Sequence, residues 1–418
     1  MHVVVIGAGI VGAVSAVELL RDGHEVTILE PGVPGGEQAA SYGNGGWLSP
    51  SSVLPVSSPG LWRKVPGYLA DPLGPLTIRW SYLVKALPWL TRMVASGWTW
   101  GQVRETSKGL GPLVAGAPEL HLKLAAEAGV PELIKRTGQL YIFPTRADYE
   151  ASRQSWDIRR ERGVKTIEVD EDELRQREPQ LDRRYKFALY CDDGGHCSDP
   201  GAYVAALVRH AEALGARLVQ GGADRLEIVG GRLKGVASAG AVIACDAAVI
   251  AAGARSRDLA HQAGDRVVLE TERGYHAVIE SPGVGPRTPI MPSDGKMVHT
   301  PMDGGLRVAG QVEIAGLEAA PNWKRAQVLL DHARRTWPGL PKDLGPERVK
   351  VWMGHRPSTP DGLPCIGRAS GCADVVHAFG HGHIGLASGA MTGRLVADIV
   401  SGKAPTIPIA PFNPARFN

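Results

Sequence analysis

The chain has 418 residues, 44% of them hydrophobic and 21% charged, a profile of folded protein that excludes wholesale disorder and, at this length, implies two interleaved domains. Lysine and arginine total 46 against 43 acidic residues, a formal charge of +3, and the basic residues are scattered, so no nucleic-acid partner is expected.

Val3–Ile6 reads as a buried strand rather than the start of a leader, Ile10–Arg21 as a helix and Val26–Leu29 as a second strand, the pattern of a βαβ unit. Pro31 to Pro59 is rich in Gly, Ser and Pro without periodicity, a length of irregular chain that compact domains reserve for binding. Helical patterns run from Leu61 to Ala128. The tryptophans there, Trp80, Trp89, Trp98 and Trp100, either pack helix on helix or offer an apolar contact to a membrane or electron acceptor. Gly138–Phe143 reads as a strand, and Ala147–Arg162 and Pro200–Leu214 as helices.

Short strands follow at Arg217–Val219, Leu226–Val229, Leu233–Val236 and Ala247–Ile250, with Gly230-Gly231 as a hairpin turn. A β-rich stretch spans Val267–Val308, with Asp303-Gly304-Gly305 as another turn, then a helix at Asn322–Thr336. The tail reads as a strand at Val349–Met353, a turn at Thr359-Pro360-Asp361-Gly362, a strand at Val375–Phe379 and a helix from Ile384 to Ser401. The fold class expected is α+β: a discontinuous Rossmann-like domain with an inserted β-sheet domain. The boundaries expected are 1–75 for the first part of the Rossmann-like domain and 76–145 for the helical region opening the inserted domain. Residues 146–265 are expected as the second part of the Rossmann-like domain, 266–344 as the cap and 345–418 as the third part.

Five cysteines, Cys191, Cys197, Cys245, Cys365 and Cys372, form no C-x-x-C pair, which speaks against a disulfide framework or a zinc site. No metal is expected, and a reducing cytoplasmic setting fits, with peripheral contact at the inner face of the cell membrane as the alternative. No stretch reaches the ~20 apolar residues that a spanning helix requires.

Gly7-Ala8-Gly9-Ile10-Val11-Gly12 leaves a strand and opens a helix, the context a dinucleotide fingerprint needs. Gly7 permits the turn, Gly9 a close approach to a pyrophosphate, and Gly12 tight packing of helix on sheet, while Ile10 and Val11 begin the helix whose positive end faces the phosphate. Glu30, closing the second strand, is placed to accept from ribose hydroxyls and to repel a 2′-phosphate, which disfavours NADP. The plainer alternative is that these glycines only pack and Glu30 is a solvated strand end. The long loop after the motif favours a flavin over a nicotinamide.

Further segments carry a family likeness: Ser41 to Pro50 (SYGNGGWLSP), Ala251 to Ser256 (AAGARS), Gly354 to Pro364 (GHRPSTPDGLP) and Gly380 to Gly385 (GHGHIG). Together they resemble the D-amino acid oxidase-like flavoproteins, in the branch of bacterial D-amino acid dehydrogenases and glycine oxidase. The resemblance implies FAD, held without a covalent bond because no histidine stands in the Ser41–Pro50 loop. It implies that Ser41, Asn44, Gly45 and Gly46 follow the pyrophosphate and flavin, with Trp47 and Leu48 beside the ring. Ala223, Ala251 and Gly253 would meet the ADP portion, and Gly354, Gly380, Gly382, His383, Ile384 and Gly385 the flavin. Arg356 would grip a substrate carboxylate, a task suited to a planar, permanently charged fork, unless it pairs with an acid such as Asp361. Tyr275 would share that carboxylate or merely fill the core, and His381 and His383 would line the site or cap the helix.

The activity implied is oxidation of a small amino acid, of D configuration, by hydride transfer from the α-carbon to flavin N5, giving an imine and then a 2-oxo acid. Its electrons would pass to a quinone, an electron-transfer chain or oxygen. The rivals are oxidation of a secondary amine of the hydroxyproline or sarcosine type or of a 2-hydroxy acid, and a non-catalytic FAD-holding subunit.

Overall fold

The computed structural model describes residues 1–63, 67, 71 and 73–418. The stretches 64–66, 68–70 and 72 of the expected helical run lie outside the described residues. The fold is α+β and rests on two large sheets. The first takes Arg217–Gln220, Glu25–Glu30, His2–Ile6, Ala247–Ile250, Val375–Phe379 and Cys365–Arg368 in that order, parallel except at the last pair. Apolar side chains on both faces explain why its central strands read as unbroken hydrophobic runs. Val3 and Val5 pack under the helices, and Val4 and Ile6 under the small sheet Arg225–Val229, Arg232–Ser238 and Ala241–Ala244.

Three helices cover that first face: Ile10–Arg21, Pro200–Ala213 and Gly385–Ser401. The first and last touch closely because the last is lined with glycine. A Cβ on Gly393 would stand 2.9 Å from the Val14 carbonyl carbon, and one on Gly389 2.9 Å from Ile10 Cγ1. Arg394 then ties the two helices through Glu18 at 3.0 Å and Asp22 at 2.6 Å, and is steadied on its own helix by Asp398 at 3.0 Å. Burial works to raise the Asp22 pKa, and the hydrogen bonds of Arg394, Lys403 and Ser401 overcome it, so its carboxyl is held well below the usual range.

Among the described residues the second sheet has nine strands. Its path runs Val349–Ser358, Glu270–Ile279, Gly305–Ile314, Val298–Met302, Ile290–Pro292, Gln139–Phe143, Phe187–Cys191, Ile167–Val169, and Leu76–Ile78 also pairs with Gly305–Ile314. Helix Lys324–Thr336 packs on it through Leu329, Leu330 and Ala333.

This sheet draws on segments that the expected boundaries assigned elsewhere. Ile167–Val169 and Phe187–Cys191 fall within 146–265, and Val349–Ser358 within 345–418, yet all three hydrogen-bond into it. The strand at Val349 does not resume the βα order of the tail, because its whole length pairs antiparallel with Glu270–Ile279. The helix read at Ala147–Arg162 divides into Arg146–Glu150 and Arg153–Glu161, where the Ser152 hydroxyl bonds the Tyr149 carbonyl at 2.8 Å.

Candidate active site

Between the two sheets lies a cleft of about 750 Å³. Its lower wall begins at the first turn. Gly7 has φ +101°, and a Cβ there would stand 2.6 Å from the Ala251 carbonyl oxygen, while one on Gly12 would fall on the Gly7 carbonyl oxygen. Only glycine fits either position. Helix Ile10–Arg21 opens with no side-chain cap and no acid in its first turn, leaving its positive end to the cleft. Ile10 N–H donates to the Ser41 hydroxyl at 3.0 Å, and Ala8 N–H to Glu30 at 2.7 Å. Glu30 is buried and also accepts from Gly32 N–H at 3.1 Å, so it braces the turn as well as lining the cleft.

Gly9, Val11, Ala223, Ala251 and Gly253 line the same wall, and Gly12 sits behind it. An uncapped helix start above a glycine turn, with a carboxylate at the next strand end and small residues between, fits the adenine–diphosphate half of FAD.

The loop from Ser41 is clamped from above by groups the sequence reading passed over. Thr300 donates to the Gly45 carbonyl at 2.7 Å and accepts from Trp47 Nε1 at 3.1 Å; Arg307 donates to the Asn44 carbonyl at 2.7 Å. His276 meets the Gly43 carbonyl at 3.0 Å and stacks on Trp352 at 5.2 Å. Ser41, Asn44, Gly45 and Trp47 line the cleft, while Gly46 turns behind it with φ +78°. Leu48 departs from expectation. Alternation on the two-residue strand Trp47–Leu48 sends it into the core, fully buried, rather than beside a flavin ring.

The upper wall carries Arg356, on Val349–Ser358, with Gly354 beside it. Its guanidinium lies flat across Gly274, where a Cβ would take its place, and donates to the carbonyls of Gln311 at 2.9 Å and Gly310 at 3.4 Å. Burial lowers its pKa and the charge of Glu272 opposes this. Asp361 is not its partner, since Arg416 holds Asp361 at 2.7 Å. Tyr275 also lines the cleft, but its hydroxyl donates to Glu313 at 2.6 Å and accepts from Asn322 N–H at 3.0 Å, and its ring packs in the cluster beneath helix Lys324–Thr336.

The turn Gly380–Gly385 closes the end of the cleft. Gly380 and Gly382 have φ +88° and +53°, Gly382 N–H donates to the Pro357 carbonyl at 2.7 Å, and helix Gly385–Ser401 starts without a side-chain cap. Gly382, Ile384 and Gly385 line the cleft, whereas Gly380 lines a small cavity beside it. His381 borders both the cleft and the adjoining cavity, and its buried ring fastens the turn to the helix, 3.0 Å from the Thr392 hydroxyl, with its pKa pushed down to about 3 by burial. His383 keeps open surface yet stands in walled surroundings, where burial first and Arg356 second lower its pKa to about 4. It is neutral at pH 7. The family model described as FAD dependent oxidoreductase (DAO) matches residues 2–399.

A D-amino-acid oxidase of Bradyrhizobium diazoefficiens is 58% identical over 416 residues, covering 100% of this chain and 99% of the relative. A D-amino acid dehydrogenase of Paramagnetospirillum magneticum is 30% identical over 425 residues, covering 100% and 99%. Among solved structures, glycine oxidase from Bacillus cereus superposes with a TM-score of 0.73 at 20% identity, covering 97% of this chain and 98% of its own, a likeness of fold. With the glycine turn, the helix start and the clamped loop all facing one cleft, the chain belongs to the DAO family of FAD dependent oxidoreductases.

Proposed function

We propose that the protein deaminates small D-amino acids oxidatively, producing 2-oxo acids. The observation that carries this reading is the guanidinium of Arg356 in the same cleft as the Gly7–Gly12 cradle. FAD, bound there without a covalent link, supplies the acceptor for the α-hydrogen. The chain's own part is to grip and to orient. Gly7, Gly9, Ile10 and Val11 hold the diphosphate, Glu30 the ribose, and Ala223, Ala251 and Gly253 flank the adenine portion. Ser41, Asn44, Gly45, Trp47, Gly354 and the Gly382–Gly385 turn surround the flavin, and Arg356 fixes the carboxylate so that the α-hydrogen faces the ring. His383, neutral and beside Arg356, borders the substrate.

The D configuration is supported by the names of the two relatives above. Anaerobic mixing of the yellow protein with D- and L-alanine tests it: flavin absorption is expected to bleach with the D isomer only, and bleaching by the L isomer alone would refute it.

A second reading concerns where the electrons go. Among the described residues no helix is long and apolar enough to cross a membrane. Helix Leu83–Ser96 nevertheless turns Val84 (77% exposed) outward, flanked by Trp80 (67%) and Trp98 (56%), the latter stacked on Trp62 at 6.1 Å. Lys85 and Arg92 are exposed on the same helix, and no acidic residue occurs from Leu73 to Arg104. Trp89, by contrast, is buried and donates to the Ser358 carbonyl at 2.9 Å, so the tryptophans divide between packing and surface. Exposed aromatics with bordering cations support peripheral contact with an anionic bilayer and a membrane quinone as acceptor. The protein is expected to sediment with vesicles containing anionic lipid and to be released by Trp80→Ser with Trp98→Ser; no sedimentation would count against a membrane quinone as acceptor.

A further inference from the structure

Arg356 has a carboxylate directly across the strand from it. Glu272 stands opposite in the antiparallel register of Glu270–Ile279 with Val349–Ser358, a placement that sets facing Cβ atoms about 5 Å apart. The guanidinium nevertheless hydrogen-bonds to the carbonyls of Gln311 and Gly310, leaving the two opposite charges side by side with neither saturating the other. Glu272 is 3% exposed and borders both the main cleft and the adjoining cavity of about 20 Å³. Burial raises its pKa, while Arg356 and Ser358 act to lower it. The Arg356 charge offsets the burial of this carboxylate only in part, and a cationic ligand group would offset more of it.

An amino acid at neutral pH is a zwitterion whose two charges are separated by a single carbon. It therefore matches a cation and an anion held at neighbouring positions of one sheet face. We propose that Glu272 is the ammonium-binding residue of the site, so that the substrate lies across the Arg356–Glu272 pair with its carboxylate on the guanidinium and its amine on the carboxylate. This rests on the amino-acid reading above. His381 and His383 border the same wall and are neutral at pH 7, with pKa values of about 3 and 4, so neither neutralises Glu272. On its own strand Glu270 is engaged by Tyr82 at 3.2 Å, and its negative charge adds to the attraction for an ammonium. The arrangement selects against carboxylates that lack an amine, including the 2-hydroxy acids.

Two probes that differ only in the amine test this on the FAD-loaded protein: 2-aminoisobutyrate, which has no α-hydrogen and leaves the flavin oxidised, and isobutyrate. Binding is read from the shift of the flavin's visible absorption at pH 7. The wild type is expected to bind 2-aminoisobutyrate about tenfold more tightly than isobutyrate, roughly the worth of one buried charge-assisted contact. Glu272→Gln is expected to lose that preference while still binding isobutyrate, and Glu272→Asp to keep part of it. A Glu272→Gln protein with the wild-type preference, or a wild type that binds both probes alike, overturns the proposal. Should Glu272→Gln fail to hold FAD, the wild-type comparison and Glu272→Asp decide. If the wild type binds neither probe, the amino-acid reading itself falls; if it binds both alike and Arg356→Ala loses both, that reading stands and only the Glu272 assignment falls.

Discussion

Arg356→Ala is expected to raise the apparent KM for D-amino acids about a hundredfold or more while the purified protein stays yellow with full FAD content. The magnitude follows from losing two charge-assisted hydrogen bonds to a carboxylate, each worth roughly 1.5–3 kcal/mol in a desolvated site. The side chain is well suited to carry that much, because its fork is anchored on the Gln311 and Gly310 carbonyls and its remaining N–H groups are left for a ligand. FAD content is expected to hold because the cradle is built from other segments, Gly7–Gly12, Glu30 and the Ser41 loop. No ion pair with Asp361 is broken, since Arg416 already holds that acid. Steady-state kinetics with the flavin-to-protein absorbance ratio checks both halves; an unchanged KM in a yellow protein contradicts the carboxylate role.

Gly12→Ala is expected to yield a colourless protein with native helix content. The new Cβ would collide with the Gly7 carbonyl oxygen, and Gly7 has no room to retreat, for it already holds φ +101° and abuts the Ala251 carbonyl. The turn must open, and the helix start leaves the position from which it faces a diphosphate. Loss of a cofactor present at a hundred times its Kd removes roughly 2.7 kcal/mol of stabilisation, so the thermal midpoint should drop toward that of wild-type apoprotein. Far-ultraviolet circular dichroism together with flavin absorption checks this. A yellow variant with stoichiometric FAD would show that the turn tolerates the methyl group and that the close approach is not required.

What was legible in the sequence had local signals. The fingerprint declares itself within a few residues, since turn, close approach and helix packing each demand glycine, and Gly7 and Gly12 show that demand in their contacts. The central strands of the first sheet were legible because burial on both faces leaves continuous apolar runs, whereas its edge strand Cys365–Arg368 was not read. What stayed hidden depends on register between distant strands. Glu272 and Gly274 gain their meaning only because they lie under Arg356, more than eighty residues on in the chain, and Thr300 and Arg307 because their strands pass over the Ser41 loop.

Tyr275 marks the limit in another way. Alternation along a strand tells which residues share a face and not what their polar atoms meet, and the Tyr275 hydroxyl, like Arg273, is bonded to Glu313 from a distant strand. Ile167–Val169 and Phe187–Cys191 escaped because they are short, and Phe187–Cys191 contains no β-branched residue.

One cleft joins the flavin cradle to the guanidinium proposed to grip the substrate. A crystal structure of the FAD-loaded protein with 2-aminoisobutyrate bound decides whether the two act together. The ligand is expected between the flavin ring and the second sheet, with its carboxylate about 3 Å from the Arg356 Nη atoms. A ligand carboxylate seated on other groups, with Arg356 turned away from it, would overturn the role given to Arg356.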